Sequence, residues 1–357
     1  MSSRYETWRE FLAEQGQPAY RYDQLLRAVF RERVSEFGRM SALPRELREK
    51  LSARFGESVL SIEPVARSDS EQATKVLFQI PRGERVEAVR MKYRAAWESF
   101  CISSQSGCNL ACAFCATGAI GLKRSLTADE ITDQVLYFHL EGHKIDSISF
   151  MGMGEPFANP ATFEALGLLT DPKLFALSPR RVTISTVGVI PGMVRLREEF
   201  PRVNLVFSLH SPFPEQRSQL VPLNRRYPLE EVMEVLDEHI RETRRQVSIA
   251  YILLGGINDT PAHADAVASL LKDRGPWSYL YHVNLIRYNP AVGAPEEFAR
   301  PVSEAVNRFL GRLRDAGINV TLRQSFGTDI DAACGQLYGR YAPKLTQMGA
   351  RTPPAAL

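Results

Sequence analysis

The residues best suited to chemistry are cysteines, and four of the five in the chain lie within fifteen residues of one another. These four are Cys101, Cys108, Cys112 and Cys115, whereas the fifth, Cys334, stands alone near the C-terminus. An odd, clustered set is a poor framework for disulfides and favours metal or thiol chemistry. In the cytoplasm such thiols stay reduced, so they are free to bind a metal or to react.

The core of this group has the spacing Cys108-x3-Cys112-x2-Cys115. Three thiolates can hold an iron–sulfur cluster and leave one iron without a protein ligand, so that this iron can bind a small molecule. A zinc site would need two pairs of ligands separated by a loop, and the only further thiol nearby is Cys101, at a crowded spacing. Buried structural thiols are the third alternative. The spacing favours the open cluster.

Composition and charge indicate a globular protein. The chain has 357 residues, of which 44% are hydrophobic and 24% charged, and its net charge is +3. This mildly basic balance allows a nucleic-acid partner without requiring one. The start, MSSRYETWRE, has no features of a signal peptide, and no run of 18 apolar residues predicts a transmembrane helix. We therefore expect a cytoplasmic protein with no membrane partner.

The first sixty residues predict helices, and a short run of strands follows. Apolar residues recur at helical spacing in Tyr5–Glu14, Asp23–Glu36 and Pro44–Phe55. The opposite faces carry Arg and Glu, which either lie in solvent or contact nucleic acid. The stretches VLSIEPVA, TKVLFQI and RVEAVRMKY then predict a small antiparallel unit between Val59 and Tyr93.

From Ser99 onward, predicted strands and helices alternate. The predicted strands are Phe100–Ser103, Ser147–Phe150, Val182–Ser185, Asn204–Ser208, Val247–Leu253, His282–Ile286 and Val320–Leu322. The predicted helices are Ala128–Leu140, Ala161–Leu169, Met193–Phe200, Leu229–Arg244, Ala262–Lys272 and Glu304–Ala316. Repeated βα units imply a parallel sheet, which is either a barrel or a doubly wound sheet. Polar or glycine-rich residues follow almost every strand, and a barrel brings all these ends to one face, whereas a doubly wound sheet has a single switch point.

We therefore predict an α/β fold with a partial (β/α)6 TIM-like barrel. A small helical accessory domain is expected at residues 1–57, with a β-rich extension at 58–93. The barrel is expected at residues 94–340 and includes the loop that carries Cys334, and a basic tail follows at 341–357.

The cysteine spacing resembles the CxxxCxxC signature of the radical S-adenosylmethionine (SAM) superfamily. The motif GMGE, Gly152–Glu155, follows a predicted strand and is similar to the superfamily's motif for the SAM amino group. This resemblance implies a [4Fe–4S] cluster whose open iron binds the amino and carboxylate groups of SAM. One-electron reduction then cleaves SAM to a 5′-deoxyadenosyl radical, so that the cofactor supplies the difficult chemistry.

A narrower resemblance extends from about Tyr20 to Tyr341. The stretches WESFCISSQSGCNLACAFCATG, ISFMGMGEPFAN, FSLHS, YHVNLIRYNP and FGTDIDAACGQLYG resemble the RlmN/Cfr class of ribosomal RNA (rRNA) methyltransferases. MKYRAAWESF, TDQVLYFHLEGHKIDSISFMGMGE and DPKLFALSPRR are more similar to Cfr-type members. One departure is Pro156, where Cfr-type sequences have Ala. The resemblance implies methylation of adenosine 2503 of 23S rRNA at C8, with C2, the RlmN-type position, as the alternative. It also implies resistance to antibiotics that bind the peptidyl-transferase centre.

The resemblance also assigns roles to residues. Cys334 matches the cysteine that one SAM methylates, Cys101 matches a second reactive thiol, and Glu87 matches a proton acceptor. The implied cluster ligands are Cys108, Cys112 and Cys115, and the implied SAM contacts are Gly154, Glu155, Ser185, Ser208, Leu209, His210 and Asn289. In isolation, Cys334 and Cys101 would each suit a buried structural role.

The chemistry of the base explains why two thiols are implied. Carbons C2 and C8 of adenine are electrophilic, so direct transfer of a methyl cation from SAM to them is not feasible. In the class, the Cys334 thiolate first takes a methyl group from one SAM. A radical from a second SAM removes hydrogen from that methyl group, and the resulting carbon radical adds to the base. Cys101 then attacks the Cys334 sulfur, so that a disulfide forms and the product is released.

The partners follow from the same resemblance. They are 23S rRNA and an electron donor such as flavodoxin, and the protein is expected to be a monomer. Unpaired RNA bases stack on aromatic side chains, and the candidates for this role or for core packing are Tyr251, Tyr281, Tyr288 and Phe326. The non-enzyme alternative is an iron–sulfur electron carrier or a zinc protein that binds RNA.

Overall fold

A computed structural model describes residues 3–81, 83–93, 96–272, 274–290 and 294–330, together with residues 332, 336 and 337. Cys334 and the predicted tail at 341–357 lie outside the described residues. Within the described part, no helix is long and apolar enough to cross a membrane.

The N-terminal region folds as helices around its own apolar core. Its helices are α1 (Arg4–Glu14), α2 (Tyr20–Phe30) and α3 (Arg45–Phe55). Ser3 caps α1, because its side chain accepts from the backbone of Glu6 while the Glu6 carboxylate accepts in return. Tyr5, Trp8 and Leu12 are buried in this core, and Leu136 of the following domain joins them. The helical accessory region is therefore packed against the rest of the chain.

Helix α2 differs from its prediction, because the sequence indicated a helix to Glu36 and the structure ends it at Phe30. Arg33 adopts a left-handed conformation with φ of 59°, which a continuing helix cannot accommodate. The carbonyl of Phe30, at the helix end, lies 2.9 Å from Nε2 of His139. Residues far away in the sequence therefore help to end α2.

Three antiparallel strands follow the helices: β1 (Glu63–Asp69), β2 (Ala73–Gln79) and β3 (Arg85–Lys92). The predicted first strand began at Val59, but Val59 is buried in the N-terminal core and its amide donates to the carbonyl of Ser35. Strand β3 pairs antiparallel with the first barrel strand, with Val89 opposite Cys101. The β extension therefore continues directly into the barrel sheet.

The remainder of the chain alternates strands with helices. Its elements are β4 (Glu98–Ile102), β5 (Gln105–Ser106), α4 (Ala116–Ala119), β6 (Arg124–Ser125), α5 (Ala128–Leu140), β7 (Ser147–Phe150), α6 (Ala161–Thr170), β8 (Val182–Thr186), α7 (Ile190–Glu199), β9 (Asn204–Ser208), α8 (Pro214–Leu220), α9 (Leu229–Thr243), β10 (Val247–Leu253), α10 (Pro261–Lys272), β11 (Tyr281–Arg287), α11 (Ser303–Asp315) and β12 (Asn319–Leu322).

The order of the strands distinguishes a barrel from a doubly wound sheet. Strands β4, β7, β8, β9, β10, β11 and β12 are parallel neighbours in sequence order. A doubly wound sheet reverses this order at its switch point, and no reversal occurs among the described strands. Six helical crossovers join the seven strands, so the predicted α/β fold with a partial (β/α)6 barrel is confirmed.

A buried ion pair attaches the N-terminal helices to the barrel. Nη2 of Arg4, on α1, lies 2.7 Å from Oδ2 of Asp133, on α5. Asp133 is fully buried and also accepts hydrogen bonds from the amide and the hydroxyl of Ser61, at 2.7 and 2.8 Å. Burial raises the pKa of Asp133, although the Arg4 charge opposes this shift. The Asp133 carboxylate thus accepts three hydrogen bonds, one from Arg4 on α1 and two from Ser61.

Asp133→Ala should destabilise the protein by about 2–4 kcal/mol, because it leaves the buried Ser61 amide without its acceptor and removes the nearer of the two carboxylates that pair with Arg4. Chemical denaturation followed by tryptophan fluorescence measures the loss. Glu49→Ala is the matched control, since Glu49 forms an exposed pair with Arg45 and should cost no more than about 1 kcal/mol. Equal losses in the two variants would contradict the proposed attachment.

Candidate functional site

The three cysteines lie on a loop whose two ends are joined by a short hairpin. Strands β5 and β6 pair Gln105 with Ser125 and Ser106 with Arg124. Gly107 precedes the first cysteine of the motif and has φ of 76°. A Cβ atom at Gly107 would lie 1.8 Å from the carbonyl oxygen of Gly121, so only glycine fits this crossing. The hairpin fixes where the cysteine loop leaves and rejoins the barrel.

The three thiols line one cavity at the carboxyl ends of the barrel strands, called the cluster cavity below. Cys108, Cys112 and Cys115 are each half-buried. Burial raises the pKa of Cys108 to about 11 and that of Cys112 well above its ordinary value, and repulsion from the neighbouring thiolates adds to both shifts. A metal group that bound these thiols would displace their protons, because the ligand is the thiolate.

The GMGE turn forms the adjacent wall of the cluster cavity. Gly154 has φ of 93°, and a Cβ atom there would lie 2.5 Å from Cβ of Gln105. Glu155 is buried, and its carboxylate accepts from the amides of Phe157 and Val187 at 3.2 and 3.1 Å. Burial raises the pKa of Glu155 to about 7. The carboxylate is therefore oriented by backbone amides and suited to bind a cation.

Two serines and a histidine belong to the polar lining of the cluster cavity. Ser185 and Ser208 lie near the ends of β8 and β9, with their hydroxyls 3.3 Å apart. His210 has φ of 59°, a strained conformation of the kind found at functional sites. Its Nδ1 accepts from the amide of Ile252 at 3.1 Å, so its Nε2 carries the proton. Burial, with a contribution from Arg217, lowers the pKa of His210 to about 3, so the ring is neutral.

These residues fit an iron–sulfur cluster with SAM. Three thiols open into the same cavity as a buried carboxylate, two hydroxyls and a glycine turn, which suits a metal group and the amino group of a ligand. Among the described residues, no group of three His, Cys, Asp or Glu side chains is arranged to hold a single metal ion. Thiols that share a cavity without converging on one point suit a cluster, in which each binds a different iron.

A second cavity, called the Cys101 cavity below, adjoins the cluster cavity. The two share four lining residues, namely Met151, Ile286, Arg323 and Leu337. Asn289, one of the residues that the resemblance assigns to SAM, lines the Cys101 cavity. Ala332 and Leu337 also line it, and these two residues flank Cys334 in the sequence.

A third and larger cavity, the lower cavity, occupies the barrel interior toward the end where the parallel strands begin. Its volume is about 680 Å³. It shares four residues with the Cys101 cavity, namely Met91, Ser149, Met151 and Arg323. Its polar lining includes Ser99, Ser147, Thr183, Asn204, Ser248 and Asn284, and its cations are Arg180, Arg244, Arg245 and Arg323. The interior is therefore polar and positively charged from this end up to Cys101.

The rim of the lower cavity carries exposed aromatic residues. Trp97 and Tyr279 are 39% and 60% exposed and precede β4 and β11. The Trp97 indole donates to Oγ of Ser147, a lining residue, at 3.0 Å. The Arg244 guanidinium lies 3.7 Å from the centre of the Trp277 ring. Because the strands are parallel, the residues that precede them lie at one end of the barrel. We call the following residues at this end the lower rim: Trp97, Arg180, Arg244, Trp277 and Tyr279.

The sequence interpretation missed the lower rim. It named four other aromatic residues as candidates for stacking or for core packing, and all four are buried: Tyr251, Tyr281, Tyr288 and Phe326. The lower rim was missed because residues that precede strands far apart in the chain show no common motif. Their shared position follows only from the parallel topology.

The structure gathers most of the predicted site residues, but not all of them. Leu209 is fully buried and does not line the cluster cavity, although its amide donates to the carbonyl of Ala250. Glu87 is fully buried on β3, with Oε1 3.4 Å from Nζ of Lys75, and lines neither the cluster cavity nor the Cys101 cavity. It lies two residues from Val89, which pairs with Cys101, so Glu87 and Cys101 share a face of the sheet. Cys334 lies outside the described residues.

Comparison with known proteins identifies the family. Residues 102–268 match the model for the radical SAM superfamily, and residues 2–56 match the ribosomal RNA large subunit methyltransferase N-terminal domain. The chain is 59% identical over 339 residues to Ribosomal RNA large subunit methyltransferase Cfr from Staphylococcus aureus, covering 95% of this chain and 97% of the relative. The chain belongs to the Cfr family of radical SAM methyltransferases. The Cfr protein of Bacillus velezensis is 56% identical over 345 residues, covering 97% and 99% of the two chains.

A solved structure supports the Cfr-family fold. A radical SAM methyltransferase from Sphaerobacter thermophilus superposes with a TM-score of 0.87 at 39% identity, covering 94% of this chain and 97% of that one. Membership of the radical SAM superfamily means that the cofactors are a [4Fe–4S] cluster and SAM.

Proposed function

We propose that the protein methylates C8 of adenosine 2503 in 23S rRNA through a methylated Cys334. The observation that carries this proposal is the arrangement around Cys101. Cys101 lines a cavity that adjoins the cluster cavity, and that cavity is also lined by residues on both sides of Cys334 in the sequence. A mechanism that passes through both thiols needs them close to each other and close to the cluster. This arrangement, together with family membership, supports it.

The cluster cavity would hold the cofactors. Cys108, Cys112 and Cys115 would bind three irons of the cluster, and the Glu155 carboxylate would accept from the SAM amino group. The remaining SAM contacts proposed are Gly154, Ser185, Ser208, Leu209, His210 and Asn289. Leu209 does not line the cavity, so its inclusion rests on the resemblance to the family alone. When bound, the cluster and SAM supply a radical that removes hydrogen from the methyl group on Cys334.

The chain's own residues would perform the remaining chemistry. The Cys334 thiolate takes a methyl group from one SAM and later forms a bond from that carbon to C8, so that two SAM are used in each turnover. Addition of that carbon leaves an unpaired electron on the base. Glu87 accepts the proton that C8 loses, and the unpaired electron leaves the base, with the oxidised cluster as the group that would accept it, so that the aromatic ring is restored. The Cys101 thiolate then attacks the Cys334 sulfur, the bond between that sulfur and the product carbon breaks, and its electron pair and a proton remain with the product.

The cycle closes when an external thiol reduces the disulfide between Cys101 and Cys334 to two thiols. We further propose that the protein acts as a monomer in the cytoplasm and that a donor such as flavodoxin supplies the electron for the cluster. Methylation at the peptidyl-transferase centre would confer resistance to antibiotics that bind there.

The lower cavity is the proposed route of the target base. It leads from the lower rim to Cys101, and it is wide, polar and lined by arginines. RNA loops are recognised by stacking of unpaired bases on aromatic or arginine side chains and by cations that bind phosphates. Trp97, Tyr279 and Arg244 provide both kinds of contact at this end of the barrel.

Removing cations from the lower rim should weaken RNA binding and reduce its dependence on salt. We test this with the double variant Arg180→Ser and Arg244→Asn. The plot of log affinity against log salt concentration should become shallower by about 1 or more, because fewer phosphate contacts form and fewer counterions are released on binding. Asparagine tolerates the left-handed conformation of residue 244. Filter binding with an rRNA fragment measures the slope.

The control for this variant is Arg308→Ser. Arg308 is an exposed arginine on α11 that pairs with Glu304, away from the lower cavity lining. An unchanged slope in the double variant, or an equal change in the control, would contradict binding at the lower rim.

The proposed function as a whole is tested with the reconstituted enzyme, SAM carrying a labelled methyl group, a reductant and unmodified 23S rRNA. The expected result is label at adenosine 2503, with transient label on the protein. Labelled RNA without labelled protein would exclude the cysteine intermediate, and SAM cleavage without RNA label would exclude this substrate.

A further inference from the structure

Arg217, on α8, is a fully buried arginine whose charge has no carboxylate partner among the described residues. Its Nη2 donates to the carbonyls of Val187 and Ser208, at 2.9 and 3.1 Å. Its Cζ lies 5.0 Å from the centre of the Phe207 ring. In the described part of the chain, Nε and Nη1 are buried without a hydrogen-bond acceptor.

Such an arrangement is costly unless a negative charge lies nearby. A buried cation without a counter-charge loses its hydration and gains little in return. Burial lowers the pKa of Arg217 to about 10, so the guanidinium still carries its charge at neutral pH. Two carbonyl acceptors satisfy part of the guanidinium, but they do not neutralise it.

Helix α8, which carries Arg217, also contacts the loop of the three motif cysteines. The amide of Ala113, between two of the motif cysteines, donates to the carbonyl of Leu220 at 3.0 Å. Leu220 is three residues after Arg217 on α8, so the two share a helix face, and Leu220 packs in one apolar group with Phe114. Helix α8 therefore packs directly against the loop that carries the cysteines.

The two hydrogen bonds of Arg217 place its guanidinium next to the cluster cavity. Val187 and Ser208, whose carbonyls Arg217 holds, line the cluster cavity beside Cys112. The guanidinium thus lies behind the cavity wall and does not reach into the space for SAM.

We infer that Arg217 is a fixed counter-charge of the cluster, held behind the cavity wall, and that it raises the cluster's reduction potential. The cluster with three thiolates is anionic, and reduction adds another negative charge. A nearby cation stabilises the reduced state more than the oxidised state, and net charge is one of the factors that set cluster potentials. Arg217 therefore acts on the cluster through its charge and does not itself contact the reacting atoms. The inference rests on the cluster that family membership implies, and not on the RNA or on the methylated carbon.

The test compares the cluster potential in Arg217→Met, Arg217→Lys and Arg197→Met. Methionine is long and neutral, and lysine keeps the charge. Arg197 is a largely buried arginine that already pairs with Glu238 and Glu242, which makes it the matched control. The proteins are reconstituted anaerobically without RNA, and the reduced cluster is followed by electron paramagnetic resonance during a redox titration.

Arg217→Met should increase the ratio of oxidised to reduced cluster at least tenfold at a given potential, which corresponds to a midpoint lower by about 59 mV for one electron. The midpoint potential of Arg217→Lys should lie close to that of the wild type, and the midpoint potential of Arg197→Met should equal it. A wild-type midpoint in Arg217→Met would overturn the inference. Because the titration contains no RNA, its outcome is independent of the methylation proposal.

If Arg217→Met does not bind the cluster, the inference is tested by thermal unfolding of the metal-free, full-length wild type and variant. Without the cluster, Arg217 is an uncompensated buried charge, so the methionine variant should unfold at a higher temperature than the wild type. A lower unfolding temperature would mean that the arginine serves the fold through the carbonyls of Val187 and Ser208, and would overturn the inference.

Discussion

Cys101→Ala should stop the reaction with rRNA covalently joined to the protein. In the proposed mechanism, the product carbon is bonded to the Cys334 sulfur until the Cys101 thiolate attacks that sulfur. Alanine removes the attacking group and leaves the earlier steps intact, because Cys101 lines the adjoining cavity and not the cluster cavity. Release of methylated RNA should fall on the order of 10³-fold or more, as when a nucleophile is deleted.

A denaturing gel shows the adduct as a slowly migrating band that contains both RNA and protein, and ribonuclease should collapse it to the protein position. The double variant Cys101→Ala with Cys334→Ala is the control and should give no band, because the thioether needs the Cys334 sulfur. Normal turnover by Cys101→Ala would rule out its role in release. A band that persists in the double variant would show that the bond is to another residue.

Cys334→Ala should abolish methylation while leaving the cluster in place. The Cys334 thiolate is the proposed acceptor of the methyl group from SAM, and no other group in the proposed mechanism can carry that carbon to an electrophilic position of the base. The cluster ligands are three other cysteines, so iron content and the visible absorption of the reconstituted protein should match those of the wild type. Nucleoside analysis of treated rRNA should show no methylated adenosine.

Cys115→Ala is the matched control for this variant, since it removes a thiol of the cluster cavity. We expect it to be inactive as well, but with reduced iron and sulfide. The two inactive variants are therefore separated by their metal content. Methylated rRNA from Cys334→Ala would contradict the cysteine intermediate, and loss of the cluster in that variant would contradict the assignment of three other ligands.

Most of the fold could be predicted because its signals are local. Strands β7, β9 and β10 have the predicted bounds, since short segments rich in β-branched and aromatic residues between turn residues indicate strands. Helix α5 also has the predicted bounds, and a capping box of Thr127 and Glu130 begins it. The predicted end of α2 was wrong. The observed end depends on the left-handed conformation of Arg33 and on a contact with His139, which lies on a distant helix.

The site residues also fall into those that local motifs predicted and those that they did not. The cysteine spacing and the glycine turn are short motifs, and the structure brings Cys108, Cys112, Cys115, Gly154 and Glu155 to one cavity. Arg217 and the lower rim could not be predicted, because their significance depends on contacts between segments far apart in the chain. Glu87 shows the converse, since a motif match alone did not reveal that its side chain is fully buried beside Lys75.

The most direct test of the central claim is mass spectrometry of the nucleosides from 23S rRNA after reaction with the reconstituted enzyme. Standards of 8-methyladenosine and 2-methyladenosine separate the two positions on the base, and digestion of a defined fragment identifies the nucleotide. The proposed mechanism predicts 8-methyladenosine at position 2503. Finding 2-methyladenosine there would contradict methylation at C8, and an unmodified adenosine would contradict the proposed substrate.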